Sequence, residues 1–107
     1  KQDLSQKRVF MFLELMEIHF LEKTNTSFYA DKIGISSKRL NQILKEKLNL
    51  TAKQIIQQRQ ITEAKRRLVR SEITIKELAF ILGFDSMSSF SRFFKKHIGV
   101  SPSVFRQ

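Results

Sequence analysis

The chain has no cysteine and no tryptophan, and only one proline, one tyrosine and three glycines among its 107 residues. Without cysteine there is no disulfide and no thiolate metal site, and the redox compartment leaves no mark on the sequence. Scarce Gly and Pro, with no alternation of β-branched residues, argue against strands and hairpins. The one long apolar run, Val9 to Leu21, is broken by Glu14, Glu17 and His19. It is too short and too charged to span a bilayer or to serve as a signal sequence. His19 and His97 stand apart from any carboxylate or nucleophile at a useful spacing, and no glycine-rich phosphate loop occurs. The residues therefore give no support to an enzyme, a metal site or a bound cofactor. Acidic side chains are also short, 10 against 20 Lys plus Arg, for a formal net charge of +10. That excess favours an anionic partner, nucleic acid before an acidic protein or membrane surface. Membrane attachment fits poorly, because the basic residues are spread over several helices rather than along one amphipathic stripe.

What is present reads as helix throughout: an all-α domain of about seven helices. No Met opens the chain, which suggests a trimmed piece of a longer protein, and residues 1–8 read as a linker remnant. Val9 to Leu21 predicts a helix with Val9, Phe10, Phe12, Leu13, Met16 and Phe20 facing in. Met11, Leu15 and Ile18 add apolar surface off that stripe, either for deeper burial or for docking on another domain or subunit. A polar turn over Thr24 to Ser27 precedes short helices over Phe28 to Ile33 and Ser37 to Lys47, the latter with Leu40, Ile43 and Leu44 inward. Asn49 suits a left-handed helix end. Thr51 then caps a long helix to Arg70 that turns Ile55, Ile56, Ile61, Ala64 and Leu68 inward.

The richest stretch runs from Thr74 to Phe105. Thr74 and Glu77 have capping-box spacing, and Ile75, Leu78, Ala79 and Leu82 form an apolar stripe behind them. Gly83 suits a positive φ, and Phe84 enters the core to seal the turn. Ser86 is placed to cap a second helix that turns Phe90, Phe94 and Ile98 inward and a polar, basic face outward. Helix, glycine turn, helix is the pattern of a helix-turn-helix.

That pattern occurs twice. Shifted by fifty positions, Ser36 falls on Ser86, Leu40 on Phe90, Leu44 on Phe94, Lys45 on Lys95, Asn49 on Gly99 and Thr51 on Ser101. Before the turns the shift is forty-nine, with Ala30 on Ala79, Ile33 on Leu82 and Gly34 on Gly83. The expected division is a first helix-turn-helix over residues 9–50, a linking helix over 51–70 and a second helix-turn-helix over 71–107.

With these residues in view, the chain resembles the DNA-binding domain of AraC/XylS-type bacterial transcription regulators. The resemblance covers Val9 to Gln107. It is most specific at Ile75, Ala79, Gly83, Phe84, Ser88, Phe90, Phe94, Lys95, Lys96, Gly99, Pro102 and Arg106, with Arg59, Ala64 and Leu68 in the linking helix. Ser89 and Phe105 stand where Tyr is common in the family, and Asn49 where Gly is.

Base contacts are expected from Lys38, Asn41 and Gln42 on the first reading helix, and from Met87, Ser88, Ser91 and Arg92 on the second. Asn and Gln can pair with adenine, Arg with guanine, and Met can touch a thymine methyl. Phosphate contacts are expected from Ser36, Arg39, Lys45, Lys47, Ser86, Lys95 and Lys96. The resemblance implies that both helices enter successive major-groove segments of one asymmetric double-stranded DNA site, ~34 Å apart. It also implies a cytoplasmic, nucleoid-associated protein, RNA polymerase as a second partner, and a full-length dimer through a further N-terminal domain; the isolated domain is expected to be a monomer. The rival reading is a protein-interaction module that docks on RNA polymerase or another regulator.

Overall fold

The computed structural model describes residues 3–107, and every regular element among them is helical. In order these are α1 Leu4–His19, α2 Thr26–Ile33, α3 Ser37–Leu48, α4 Ala52–Arg70, α5 Ile75–Ile81, α6 Met87–Ile98 and α7 Pro102–Arg106. The chain folds as two compact units, one ending at Gln58 and the other starting at Arg59. Helix α4 therefore lends its first turns to one unit and its remainder to the other.

In the first unit α1 starts earlier than the apolar run suggests. Asp3 Oδ1 accepts the Gln6 amide at 2.7 Å, and this N-cap pulls residues 4–8 into the helix instead of a linker. Lys1 and Gln2, the rest of the expected linker remnant, lie outside the described residues. At its other end α1 stops at His19, so Phe20 and Leu21 lie beyond the helix. Val9, Phe12, Met16 and Phe20 are buried as expected, but Phe10 is 42% exposed. Phe10 follows Val9 by about 100° around the axis, which carries it off the buried arc. Phe12 meets Tyr29 edge-on at 5.3 Å, and the core closes with Leu40, Ile43, Leu44, Ala52, Ile55 and Ile56. Tyr29 is fully buried and donates its hydroxyl to the Lys23 carbonyl at 2.6 Å. Burial pushes that hydroxyl up to about 12, so it stays a donor at any physiological pH.

The second unit builds its core on aromatic rings. Phe84 lies 5.5 Å from Phe90, Phe90 5.9 Å from Phe94, and Phe94 5.4 Å from Phe105, measured between ring centroids. Phe84 is only half-buried, because it covers the turn rather than filling the interior. Leu78, Ala79, Leu82, Ile61, Ala64, Leu68 and Pro102 complete this core. Arg106 reaches back from α7, its Nε donating at 3.1 Å to the Leu68 carbonyl in the last turn of α4. A cation placed there satisfies an orphan carbonyl and complements the helix dipole.

Candidate nucleic-acid interface

Each unit contains a pair of helices joined by the same turn. In the first, Gly34 adopts φ 89° and the Ile35 amide donates to the Ala30 carbonyl at 3.0 Å. In the second, Gly83 adopts φ 85° and the Phe84 amide donates to the Ala79 carbonyl at 3.0 Å. Both are six-to-one closures that use a left-handed residue to end the first helix. A serine then opens the second helix of each pair: Ser36 Oγ accepts from the Arg39 amide, and Ser86 Oγ from the Ser89 amide, both at 3.0 Å. Ahead of α5 the Thr74–Glu77 capping box is complete, with Thr74 Oγ1 accepting at 3.0 Å and Glu77 Oε1 at 2.9 Å. Backbone and side-chain bonds from Thr74 hold the Glu77 carboxyl below its usual range.

Helix α3 buries Leu40, Ile43 and Leu44, leaving Lys38, Gln42 and Lys45 exposed on the opposite face. On α6 the buried residues are Phe90 and Phe94, and the exposed face carries Ser88, Arg92 and Lys95, with Met87 49% exposed at its start. Lys96 is exposed beside them, and Ser91 is half-buried. Arg39 is exposed and directs Nη1 to Gln42 Oε1 at 3.5 Å. Lys47 is tied to Asp3 at 3.3 Å, an exposed pair that competes weakly with any phosphate.

Asn41 behaves differently from its neighbours on α3. Its Oδ1 accepts the Ala52 amide at 2.9 Å and so caps the first residue of α4 from a neighbouring helix. A paired bond to adenine needs that oxygen as well as the amide nitrogen, so the capping bond competes with a reading role. The beginning of α4 is further closed by Thr51 and Gln54, which exchange backbone and side-chain bonds at 2.9 and 3.2 Å.

Two features lie outside the expectations drawn from the sequence. Gln60 and Glu63 are buried polar residues on α4. Glu63 gathers Arg59 at 3.2 Å and Arg66 and Arg67 each at 2.7 Å. The Arg66 hydrogen bonds, against opposing burial and helped by Arg67 and Arg59, hold its carboxyl at about 2. A signal for this cluster was present, since arginines at i−4, i+3 and i+4 of a single glutamate share a helical face. Lys38, Gln42, Lys45, Ser88, Arg92 and Lys95 contain no acid–base pair or nucleophile set, and no metal-binding cluster of His, Cys, Asp and Glu occurs among the described residues.

Two glycine-turn helix pairs, each exposing a polar and basic second helix, define a helix-turn-helix protein of the DNA-binding class. Residues 29–107 match the family model of the helix-turn-helix domain, and the chain belongs to that family, in its AraC-type form. This is a family of transcription-regulator domains rather than of enzymes. The HTH-type transcriptional activator RhaS of Escherichia coli is 29% identical over 103 residues, covering 96% of this chain and 37% of RhaS. The chain thus spans little more than a third of the length of the curated relatives it matches. The C-terminal domain of AraT, a response regulator from Geobacillus stearothermophilus, superimposes with a TM-score of 0.90 at 25% identity, over 97% of this chain and 87% of that one. The DNA-binding domain of the global transcriptional factor AdpA, solved in complex with a target DNA, gives 0.80 at 21% identity over 98% and 91%.

Proposed function

We propose that this domain reads one asymmetric DNA site with α3 and α6, each laid in a major-groove segment, as part of a longer transcription regulator. The observation that carries this reading is the repeated turn, which in both units ends at a helix whose outer face is polar, basic and exposed. Lys38 and Gln42 are the proposed base readers of α3, and Arg92, Ser88, Ser91 and Met87 those of α6. Lys45, Lys95, Lys96, Arg39 and Lys47 are the proposed phosphate contacts, joined by the Ser36 and Ser86 helix starts. Asn41 is proposed instead to hold α3 against α4, because its oxygen is already bonded. Since one chain carries both readers, a single copy suffices for one site. RhaS is a transcriptional activator, and by that relationship the whole protein is proposed to activate transcription in the bacterial cytoplasm at the nucleoid, with RNA polymerase as a second partner.

The test is a fluorescence-anisotropy titration against DNA selected from a random pool, repeated at two salt concentrations. Arg92→Ala should lose about 1–3 kcal/mol of discrimination at one base position, and Gln42→Ala a similar amount at another. Lys95→Ala should weaken all sequences alike and reduce the salt slope by about 1. Unchanged selectivity in both Arg92→Ala and Gln42→Ala, with the helical content intact, overturns the assignment of the readers.

A further inference from the structure

Helix α1 has more apolar surface than its own unit uses. Val9, Phe12 and Met16 are buried, while a second strip made of Leu4, Met11 and Ile18 runs beside them. Leu4 is 60% exposed and Ile18 73% exposed, with Met11 half-buried between them and Leu15 alongside. Residues seven apart stay close to one line along a helix, which is the spacing of a helix–helix seam. Lys7 and Glu14, also seven apart, border this strip on its solvent side, and neither is engaged in an ion pair among the described residues.

The strip is symmetric about Met11. Leu4 stands seven residues before it and Ile18 seven after. An antiparallel partner related by a two-fold axis at Met11 therefore sets Leu4 against Ile18 of the second copy and Met11 against itself. The same operation brings Lys7 within one residue, ~1.5 Å along the axis, of Glu14 of the second copy. A parallel partner would instead put this flank of the two copies on opposite sides of the seam, where no Lys7–Glu14 pair can form. The order of Lys7 and Glu14 is thus self-complementary in an antiparallel second copy and not in a parallel one.

We infer that α1 pairs antiparallel with α1 of a second copy of this chain, forming an isologous two-fold contact centred on Met11 and framed by Lys7–Glu14 pairs. A helix of this length is about 24 Å long and buries less than the ~1,200 Å² of a standard stable interface, so the pairing is weak. It is populated when copies are concentrated, as they are on neighbouring sites of one DNA, and a single copy still occupies a single site.

Sedimentation velocity from about 10 μM to 1 mM covers the range in which such a contact forms. The weight-average sedimentation coefficient should rise with concentration in the wild-type domain and stay flat in Ile18→Glu, whose side chain is exposed and whose helical circular dichroism should be unchanged. Lys7→Glu should weaken the association at least several-fold, and adding Glu14→Lys to it should restore the association. Because the chain contains no cysteine, single variants also report orientation. A mixture of Leu4→Cys and Ile18→Cys should cross-link to a heterodimer faster than either variant cross-links to itself. A sedimentation coefficient flat over the whole range in the wild type assigns the strip to another occupant, such as a preceding domain, and overturns the inference. A rise that survives Ile18→Glu, or self-linking of Leu4→Cys that outpaces the mixture, overturns it equally.

Discussion

The two helix-turn-helix units solve one geometric problem with different residues, and the differences are correlated. Both end their first helix with an alanine carbonyl accepting from the residue after a left-handed glycine. Both open the next helix with a serine cap. After the reading helix they part. In the first unit the next helix begins with Ala52, whose amide must find an acceptor, and Asn41 supplies it. In the second the matching helix begins with Pro102, which has no amide to satisfy, and the residue matching Asn41 is Ser91. The identity of the first residue of the following helix thus goes with whether a side chain on the helix before it is drawn into capping.

The cores differ as much as the caps. Leu40 and Leu44 occupy the positions that Phe90 and Phe94 hold in the second unit, and all are fully buried. The first unit has the 16-residue α1 to cover it, whereas the second has the remainder of α4 with the short α5 and α7. Larger rings on α6 supply contact area that a long covering helix supplies elsewhere. Phe90→Ala should therefore be the most damaging change, at about 3–5 kcal/mol, with Leu40→Ala at about 2–5. Amide hydrogen exchange should show protection lost mainly from α5 to α7 in Phe90→Ala and mainly from α1 to α3 in Leu40→Ala. Equal loss in both units from either change would mean that they unfold as one.

Next in size is the Glu63 cluster. Its carboxyl sits at about 2 against an ordinary 4.5. A depressed carboxyl contributes stability that is complete above the unfolded value and is lost as the pH falls through the folded one. Stability should therefore drop between about pH 4.5 and 2 in the wild type. Glu63→Gln should cost about 1–3 kcal/mol at neutral pH and should flatten that part of the profile, as read by denaturant titration over a pH series. An unchanged acid limb in the variant would place the pH dependence on other carboxylates.

Most of this fold was legible in the sequence, because its determinants are local. Capping pairs such as Thr74 with Glu77, glycines at helix ends and apolar residues at helical spacing act within one or two turns. What could not be read depends on residues distant in sequence meeting in space. Asn41 looks like a reader from its place on the exposed face of α3, and only the approach of Ala52 shows that its oxygen is bonded. Arg106 stands out in the family pattern, but its role becomes visible only with the Leu68 carbonyl beside it. Asp3 reads as linker for a different reason: the extent of α1 is set by a cap that lies outside its apolar run.

The Asn41 contrast can be isolated by a double-mutant cycle. Asn41→Ala should cost about 1 kcal/mol, the usual range for losing a helix cap, and Ser91→Ala should cost much less. Ala52→Pro removes the amide that Asn41 serves and copies the second unit. Because Ala52 is fully buried, the proline itself can carry a packing cost, but the cycle reads only the coupling. Asn41→Ala should become nearly neutral in the Ala52→Pro background. A cost that persists there would show that Asn41 stabilises α3 through some contact other than the bond to Ala52.

The smallest effects belong to the left-handed residues that end the reading helices. Asn49 sits at φ 60° and ψ 27°, inside the left-handed well that an asparagine tolerates. Gly99 sits at φ 98° and ψ −15°, outside it, although a Cβ there would meet nothing within 4 Å. Exchanging the two residues should therefore be asymmetric. Asn49→Gly should stay within about 0.5 kcal/mol of neutral, since glycine reaches the same conformation but loses more entropy on folding. Gly99→Asn should cost roughly 0.5–1 kcal/mol from backbone strain alone, because no neighbour stands in the way. Thermal unfolding of the two variants against the wild type measures both. Equal costs would mean that the two helix ends relax to one conformation, and that the choice between Asn and Gly carries no backbone information in this chain.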